Sequence, residues 1–234
     1  MMLIFLDTET TGLEMKDRIC ALGMIADDVS HFELINPGKK IPPHASAIHH
    51  ITNEMLQESP SFSQSISAEK LKSLNTPENI LVSHNAPFEL SMLEKEGLTW
   101  QGSVIDTLKC SKSLMDDLEG YSLQFLRYEL RLYRDEMRVF EEAGISITPH
   151  HPLSDALHTR MILEYLLDLA EIDRLIEISK SHVLLVRLPF GKYAKKRIEE
   201  IALKDPGYLK WMVESLMDMD EDLRYSIDYY LRGK

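Results

Sequence analysis

Cysteine is scarce in this sequence, and its scarcity excludes several kinds of site. The 234 residues contain two cysteines, Cys20 and Cys110. Two are too few for a disulfide framework, and they lack the paired spacing of a zinc site. Cys20 lies in the apolar run ICALGMIA, which predicts a buried thiol. Free thiols fit a reducing compartment, so we expect a cytoplasmic protein.

Long apolar runs are missing as well. No run reaches the length that a membrane-spanning helix needs, so no membrane association is expected. The N-terminus has no basic segment and reaches an acid at Asp7, so it does not resemble a signal peptide. A content of 44% hydrophobic and 27% charged residues is typical of a soluble globular protein.

Positive charge is in deficit, because the formal net charge is −12. This deficit argues against a surface coated with cations for nonspecific binding to nucleic acid. The charge is unevenly spread: residues 1–184 hold 16 basic and 29 acidic side chains, whereas residues 185–234 hold 10 and 9. Local patches, rather than the total, therefore decide what the surface contacts.

Apolar patterns predict an α/β protein. Strands are expected at 2–6, 19–26, 30–36, 79–85 and 103–107. Helices are expected at 86–97, 107–117, 122–130 and 155–177, and loops at 37–46 and 141–154. In the last helix, the residues at core spacing are Leu157, Met161, Tyr165 and Leu169. Strands that come first and then alternate with helices predict a sheet covered by helices on both faces.

A second unit is predicted near residue 184. Its sequence suggests a strand, Gly191, a helix, the turn signal DPG and two amphipathic helices. We therefore divide the chain into a main domain, 1–180, and a small, mainly helical C-terminal domain, 184–234. The second unit is short, so it should pack on the first domain or on a partner.

Two carboxylates end the first predicted strand, in the segment LIFLDTETTGL at 3–13. Side chains alternate along a strand, so Asp7 and Glu9 share one face about 7 Å apart. Two like charges at that distance repel by about 2 kcal/mol at an effective dielectric near 20. The pair belongs either to a solvated turn or to a cation site. Further acids that converge on it from elsewhere in the chain would favour the cation site.

Two later acids and a histidine match that pair. Glu89 lies in the first turn of the helix after LVSHN, and Asp155 begins the long helix, five residues after His150. An acid in a first helical turn is favoured by the helix dipole, and a loop histidine is usually a surface residue. The occurrence of all of these residues together, in this order, favours a cation-binding site over separate surface residues. Zinc bound by the pairs His49–His50 and His150–His151 is disfavoured, because sequence neighbours rarely point at one ion.

The motifs that carry these residues resemble those of a known family. DTETTG, HNAPFE and HHPLSD resemble the three motifs of the DnaQ-like, DEDDh-type 3′–5′ exonucleases, which have an RNase H-like mixed sheet flanked by helices. IHHIT at 48–52 and YSLQFL resemble further family segments, and the likeness spans roughly 2–170. The tail PFGKYAKKRIEEIALKDPGYLKWM resembles the C-terminal domain of X-type exodeoxyribonucleases.

The resemblance implies a two-metal mechanism with Mg²⁺, for which Mn²⁺ may substitute. Asp7 would bridge both ions, Glu9 and Asp155 would complete the first, and Glu89 would act through a metal-bound water. His150 would be the general base, because the family spacing places the base five residues before the last acid. The residue types fit, since magnesium prefers carboxylates and imidazole titrates near neutrality.

The resemblance also implies substrate contacts. The backbone of Thr10 and Gly12 would surround the terminal nucleotide, Leu13 would wedge against its base, and Ile48 and His49 would flank the sugar and base. Ordinary packing is the alternative for Leu13 and Ile48. In the tail, a basic run without acids is a possible DNA patch or a solvated helix face; its members are Arg187, Lys192, Lys195, Lys196 and Arg197.

Three positions depart from the family pattern: Glu89 replaces the usual Asp, Pro152 an Ala, and Lys195 a Gly. The function we expect is a metal-dependent 3′–5′ exonuclease that converts DNA to 5′-mononucleotides, in repair or end-trimming. The alternatives are an RNA 3′-end exonuclease, similar to RNase T or oligoribonuclease, and a non-catalytic nucleic-acid-binding module. The expected partner is thus DNA, with RNA as the alternative, and the sequence predicts no oligomeric state.

Overall fold

A five-stranded mixed sheet forms the centre of the main domain. The computed structural model describes residues 1–27, 29–115 and 117–233. The strand order is β3-β2-β1-β4-β5; β1, β2 and β3 are antiparallel, and β4 and β5 run parallel to β1. The strands are β1 Leu3–Thr10, β2 Ile19–Ala26, β3 Val29–Leu34, β4 Ile80–Ser83 and β5 Ser103–Asp106.

Helices cover both faces of this sheet, as predicted. In the main domain they are α1 Pro43–His49, α2 Ile66–Leu74, α3 Ala86–Lys95, α4 Thr107–Leu114, α5 Leu123–Glu129, α6 Glu136–Ala143, α7 Pro152–Leu167 and α8 Ile172–Lys180. One apolar core includes Phe5, Val82 and Ile162, and a second includes Leu6, Leu81 and Leu93. Alternate residues of β1 and β4 thus fill cores on opposite faces. The predicted fold class is confirmed.

The predicted long helix 155–177 is wrong, because the chain forms two helices there. The backbone N–H groups of Leu169 and Ala170 both donate to the carbonyl of Leu166, which closes α7, and α8 begins after an extended Glu171. A straight helix over 23 residues would be about 34 Å long. The break lets α7 pack on β1 and β2 while α8 packs on β5. Leu169, expected in the core, is 47% exposed.

Other predicted boundaries also need correction. β1 continues to Thr10, because its antiparallel pairing with β2 extends through Thr10 and Ile19. The predicted loop 37–46 includes the start of α1, and α2 and α6 were not predicted. The helix predicted at 107–117 ends at Leu114, and Asp116 lies outside the described residues. The tail strand is only an isolated bridge between Arg187 and Arg197.

The C-terminal segment has its own small apolar core. Its helices are α9 Ile198–Lys204, α10 Pro206–Ser215 and α11 Glu221–Leu231. The core includes Leu188, Leu209 and Ile227. Its contacts with the main domain are both apolar and polar: Leu185 packs against the apolar cores of both units, and Arg187 and Arg197 donate to Asp117. Across the described residues, none of the helices combines the length and the apolarity that a bilayer crossing requires.

The sheet opens beside the two acids of β1. β1 pairs with β4 only from Leu3 to Phe5, whereas its pairing with β2 continues past Glu9. The Ser83 hydroxyl at the end of β4 donates to the carbonyl of Leu6 and closes this junction. Because Asp7 and Glu9 lie beyond the last β4 pair, their side chains stand at the carboxyl edge of the parallel strands.

Gly23 brings α7 against this edge. Gly23 pairs with Asp7 across β1 and β2. A Cβ atom there would lie 2.2 Å from the backbone nitrogen of Leu153 and 2.3 Å from the carbonyl carbon of Pro152. Only glycine therefore lets the first turn of α7, which carries Asp155, pack directly on β2.

Replacement of Gly23 by alanine tests this close approach. We expect Gly23→Ala to lower the free energy of unfolding by about 1–3 kcal/mol, the usual cost of an overpacked site. Chemical denaturation measures the change. Gly207→Ala is the matched control, because a Cβ there meets only Asp205 at 3.9 Å. Equal stability of the two variants would contradict the close packing of α7 on Gly23.

Candidate active site

Three carboxylates converge at the open edge of the sheet. Asp7 and Glu9 come from β1, and Asp155 comes from the first turn of α7. One oxygen of each carboxylate lies within 4.8 Å of the others, and in the described part of the chain this is the group suited to hold a metal ion. Asp7 and Glu9 are partly exposed, whereas Asp155 is 6% exposed. The geometry thus unites three of the acids chosen from the sequence.

Hydrogen bonds fix Asp155 from two sides. The amide of Gln124 on α5 donates to its Oδ1 at 3.2 Å, and the backbone N–H of His150 donates to its Oδ2 at 3.1 Å. Arg127 in turn donates to Gln124 Oε1 at 3.1 Å and pairs with Glu136, with Nη2 2.6 Å from Oε1. The Gln124 side chain is therefore itself held in place.

A buried histidine completes this polar layer. His158 on α7 has no solvent exposure, and its Nε2 lies 3.4 Å from Glu136 Oε2. Its Nδ1 has no hydrogen-bond partner and lies 3.9 Å from Asp155 Oδ1. The ring packs on Phe140, with centroids 4.7 Å apart. These groups were not identified from the sequence, where only YSLQFL marked the segment that carries Gln124.

Crowding and burial change the acidity of the cluster. Burial, followed by the charges of Glu89, Asp155 and Glu9, raises the pKa of Asp7 well above its usual value. Burial, followed by Asp155 and Glu89, raises the pKa of Glu9 to about 8. Two unit charges about 5 Å apart repel by about 3 kcal/mol at an effective dielectric near 20. A divalent cation would offset this repulsion, so the donor set fits a hard metal ion.

Glu89 stands beside this cluster rather than within it. Its side chain is 4% exposed in the first turn of α3, and the Thr8 hydroxyl donates to its Oε2 at 2.7 Å. Burial raises its pKa to about 8, and the hydrogen bonds from Thr8 oppose that rise. Its charge is near enough to raise the pKa of Asp7. The structure thus places Glu89 next to Thr8 of β1, near enough for its charge to act on the cluster.

The two histidines before α7 occupy different environments. His150 is exposed and has a left-handed backbone, φ +58°, which turns its N–H toward Asp155. His151 precedes the first residue of α7 and packs on Phe32, with ring centroids 4.4 Å apart. Burial lowers the pKa of His151. Of the two residues, His150 is thus the more exposed.

The predicted substrate residues divide into exposed and buried ones. Leu13 is 83% exposed and Ile48 is 53% exposed, so both can contact a ligand. His49 is 7% exposed, and its Nδ1 accepts a hydrogen bond from the N–H of Ile51 at 3.1 Å. Burial lowers its pKa. His49 thus supports the chain at Ile51 from within.

Asp17 shapes the loop that presents Leu13, and sequence reasoning missed it. Gly12 has φ +152°, and a Cβ there would lie 2.5 Å from Asp17 Oδ2. Burial acts to raise the pKa of Asp17, but hydrogen bonds from Lys39, Glu14 and Thr11 hold it at about 2. Thr10 adds a hydrogen bond from its Oγ1 to the carbonyl of Gly12, at 2.8 Å. The loop is therefore rigid at its base.

The basic run of the tail is not a uniform patch. Arg187 and Arg197 both donate to Asp117, at 2.8–3.0 Å. Two lysines are more loosely paired: Lys192 lies 3.2 Å from Asp205, and Lys195 lies 3.9 Å from Glu119. Lys196 is exposed. The arginines thus attach the tail to the main domain, and the lysines remain toward solvent.

The cysteines take no part in the cluster. Cys20 and Cys110 are buried and unpaired, as predicted for Cys20. Burial raises the pKa of the Cys20 thiol to about 12 and that of Cys110 to about 11. Without a metal, neither thiol is therefore ionised near neutral pH.

Comparison with known proteins adds to this geometry. Residues 4–159 match the family model described as Exonuclease, and residues 188–216 match the model described as Exodeoxyribonuclease X-like C-terminal. The chain is 29% identical to Exodeoxyribonuclease 10 of Escherichia coli K12 over 239 aligned residues, which cover 99% of this chain and all of the relative.

Two solved structures have the same fold. Exonuclease X in complex with 5′-overhanging duplex DNA superposes with a TM-score of 0.57 and 23% identity, over 76% of this chain and 99% of that one. A 3′-exonuclease that recognises the 3′ end of a histone mRNA stem-loop gives a TM-score of 0.54 and 14% identity, over 71% and 81%. The RNase H-like class expected from the sequence is therefore confirmed.

The raised pKa values predict an unusual dependence of stability on pH. Between the ordinary value of 4.5 and about 8, Glu9 and Glu89 stay protonated in the folded chain but ionise in the unfolded chain. Stability in a chelator should therefore fall as pH rises through this range. Asp7→Asn should raise the thermal midpoint at pH 8, because it removes a carboxyl group whose ionisation is disfavoured in the folded chain. Glu94→Gln, at an exposed site on α3, is the control. A lower midpoint for Asp7→Asn would refute the repulsion.

The hydrogen bond from Gln124 to Asp155 predicts an effect on metal binding. We expect Gln124→Ala to weaken Mn²⁺ binding by about 10–100-fold, the usual loss when an outer-shell partner of a metal ligand is removed. Free Mn²⁺ is measured by electron paramagnetic resonance, without any substrate. Gln101→Ala, at an exposed site, is the control. Equal affinity in both variants would mean that Gln124 does not position Asp155.

Proposed function

Because the chain belongs to the Exonuclease family, we propose that it hydrolyses DNA from the 3′ end and releases 5′-mononucleotides. The convergence of Asp7, Glu9 and Asp155 carries this proposal. Full-length similarity to Exodeoxyribonuclease 10 supports DNA rather than RNA as the substrate. The role that we propose is repair or end-trimming. The bounds 1–180 and 184–234 are proposed for the nuclease domain and the C-terminal domain.

The all-oxygen donor set fits Mg²⁺, with Mn²⁺ as a substitute. Bound divalent metal would neutralise phosphate charge and favour both the attacking and the leaving oxygen. Asp7 would be the central ligand, because the charges of Glu89, Asp155 and Glu9 all act on its carboxyl group. Glu9 and Asp155 would complete one position, and Glu89 would support the metal from behind Thr8.

His150 would act as general base. His150 is exposed, and its backbone N–H donates to Asp155, so the residue is anchored beside the cluster by its main chain while its side chain is open to solvent. A neutral imidazole can take the proton of the attacking water. We do not assign this role to His151, because its ring packs on Phe32.

The terminal nucleotide would be bound between the loop after β1 and helix α1. Leu13 would stack against its base and Ile48 would pack on its sugar, since both side chains are exposed. Thr10 and Gly12 would contribute their backbone, held in shape by Asp17. His49 would position Thr10 and Ile51 rather than touch the base directly.

End-labelled oligonucleotides test the proposal. We expect single-stranded DNA to be shortened from its 3′ end with Mg²⁺ or Mn²⁺, and to stay intact in chelator. Asp7→Asn should abolish the activity, because the metal would lose its central ligand. Hydrolysis in excess chelator would contradict the metal site. Faster hydrolysis of RNA would identify an RNA 3′-end exonuclease, and binding without hydrolysis a non-catalytic module.

The choice of His150 as base is tested by alanine variants of both histidines. His150→Ala should lower the rate of hydrolysis by about 10²–10⁴-fold, the usual contribution of a general base. DNA binding in chelator should change little. His151→Ala should keep most of the activity. A large loss of activity in His151→Ala, together with full activity in His150→Ala, would show that His150 is not the general base.

A further inference from the structure

Phe190 and Trp211 are among the exposed aromatic side chains of the C-terminal segment. Phe190 is 46% exposed in the loop before α9, and Trp211 is 52% exposed on α10. Neither is among the side chains that pack in the core around Leu209 and Met212. Stability of this segment therefore does not explain why large rings stand at these two positions.

Tyr208 joins the loop to the helix that carries Trp211. Its ring lies 5.1 Å from that of Tyr193 and 5.7 Å from that of Trp211, measured between centroids. Its hydroxyl accepts a hydrogen bond from the N–H of Lys192 at 3.0 Å. Gly191 has φ +86°, and a Cβ there would lie 2.3 Å from that hydroxyl. The loop tip is thus fixed against a row of rings.

Lysines accompany these rings. Lys192 Nζ lies 4.6 Å from the centroid of the Tyr193 ring and 3.2 Å from Asp205 Oδ2. Exposed ion pairs of this kind contribute little, so Lys192 can exchange its carboxylate for a phosphate. Lys195 and Lys196 follow in the same loop and are exposed. Arg187 and Arg197 are committed to Asp117, so these three lysines supply the charge of the surface.

We propose that Phe190 and Trp211, together with Lys192, Lys195 and Lys196, form a second binding surface for single-stranded DNA. Bases of the strand, away from the reacting 3′ end, would stack on the two rings while the lysines contact its phosphates. Rings interleaved with cations match the alternation of bases and phosphates in a single strand. This inference rests on the proposed function, because it assigns the surface to the same substrate strand.

Trp211 provides a direct reporter of stacking. The sequence has two tryptophans, and Trp100→Phe leaves Trp211 as the single one. In chelator, an oligodeoxythymidylate of about 20 nucleotides should quench its fluorescence saturably, and added salt should weaken the effect. Blunt duplex of the same length should quench little, because its bases are already stacked. Unchanged fluorescence at oligonucleotide concentrations that saturate binding, measured by anisotropy, would overturn the proposal.

Alanine variants in the full chain test the surface independently. Trp211→Ala and Phe190→Ala should each weaken binding of that oligonucleotide by about 5–150-fold, the range for loss of one stacked base. Metal-dependent hydrolysis of a dinucleotide should be unchanged. Tyr225→Ala is the control, since Tyr225 is 42% exposed on α11 and stacks on His182.

The outcomes separate this inference from the proposed function. Equal affinity of Trp211→Ala, Tyr225→Ala and the parent would overturn the surface and leave the nuclease site untouched. Quenching of Trp211 without hydrolysis of any substrate would instead refute the proposed function alone.

Discussion

Mutual repulsion among the carboxylates at one edge of the sheet is the constraint on which this structure depends. Asp7, Glu9 and Asp155 bring oxygens within 4.8 Å of one another, and Glu89 adds its charge from behind the strand. Such an arrangement is unfavourable for the isolated chain. A bound cation would offset the repulsion, because carboxylate oxygens this close together can bind one metal ion jointly.

Several uncharged groups hold the acids in place against that repulsion. Gly23 lets α7 reach β2, and the left-handed His150 turns its N–H to Asp155. Gln124 supports the other oxygen of Asp155, and Thr8 fixes Glu89. Backbone contacts and buried polar side chains thus oppose the repulsion among the acids. They come from β1, β2, α3, α5 and α7. Substitutions that relax one of these contacts should change metal binding before they change the fold.

Sequence alone identified the acids but not their supports. Asp7, Glu9, Glu89 and Asp155 each follow or begin a periodic apolar element, and that placement is readable from residue order. The roles of Gly23 and Gln124 depend on which helix packs on which strand, and Asp17 depends on a loop conformation. The end of α7 was missed for a similar reason: the apolar pattern continues through Leu169, and only packing of α8 on β5 requires a break. The basic run of the tail was recognised, but its arginines are used by Asp117.

Proton release on metal binding tests the central claim most directly. Near pH 7 a cation held by the cluster must remove the proton from Glu9, whose pKa is raised to about 8, and any proton from Asp7, whose pKa is also raised. Titration calorimetry with Mg²⁺, in buffers of low and high ionisation enthalpy, counts the protons released. We expect saturable binding with release of about one to two protons per chain, since metal ligands must be deprotonated. Binding with no dependence on the buffer, or no saturable binding at all, would contradict the account.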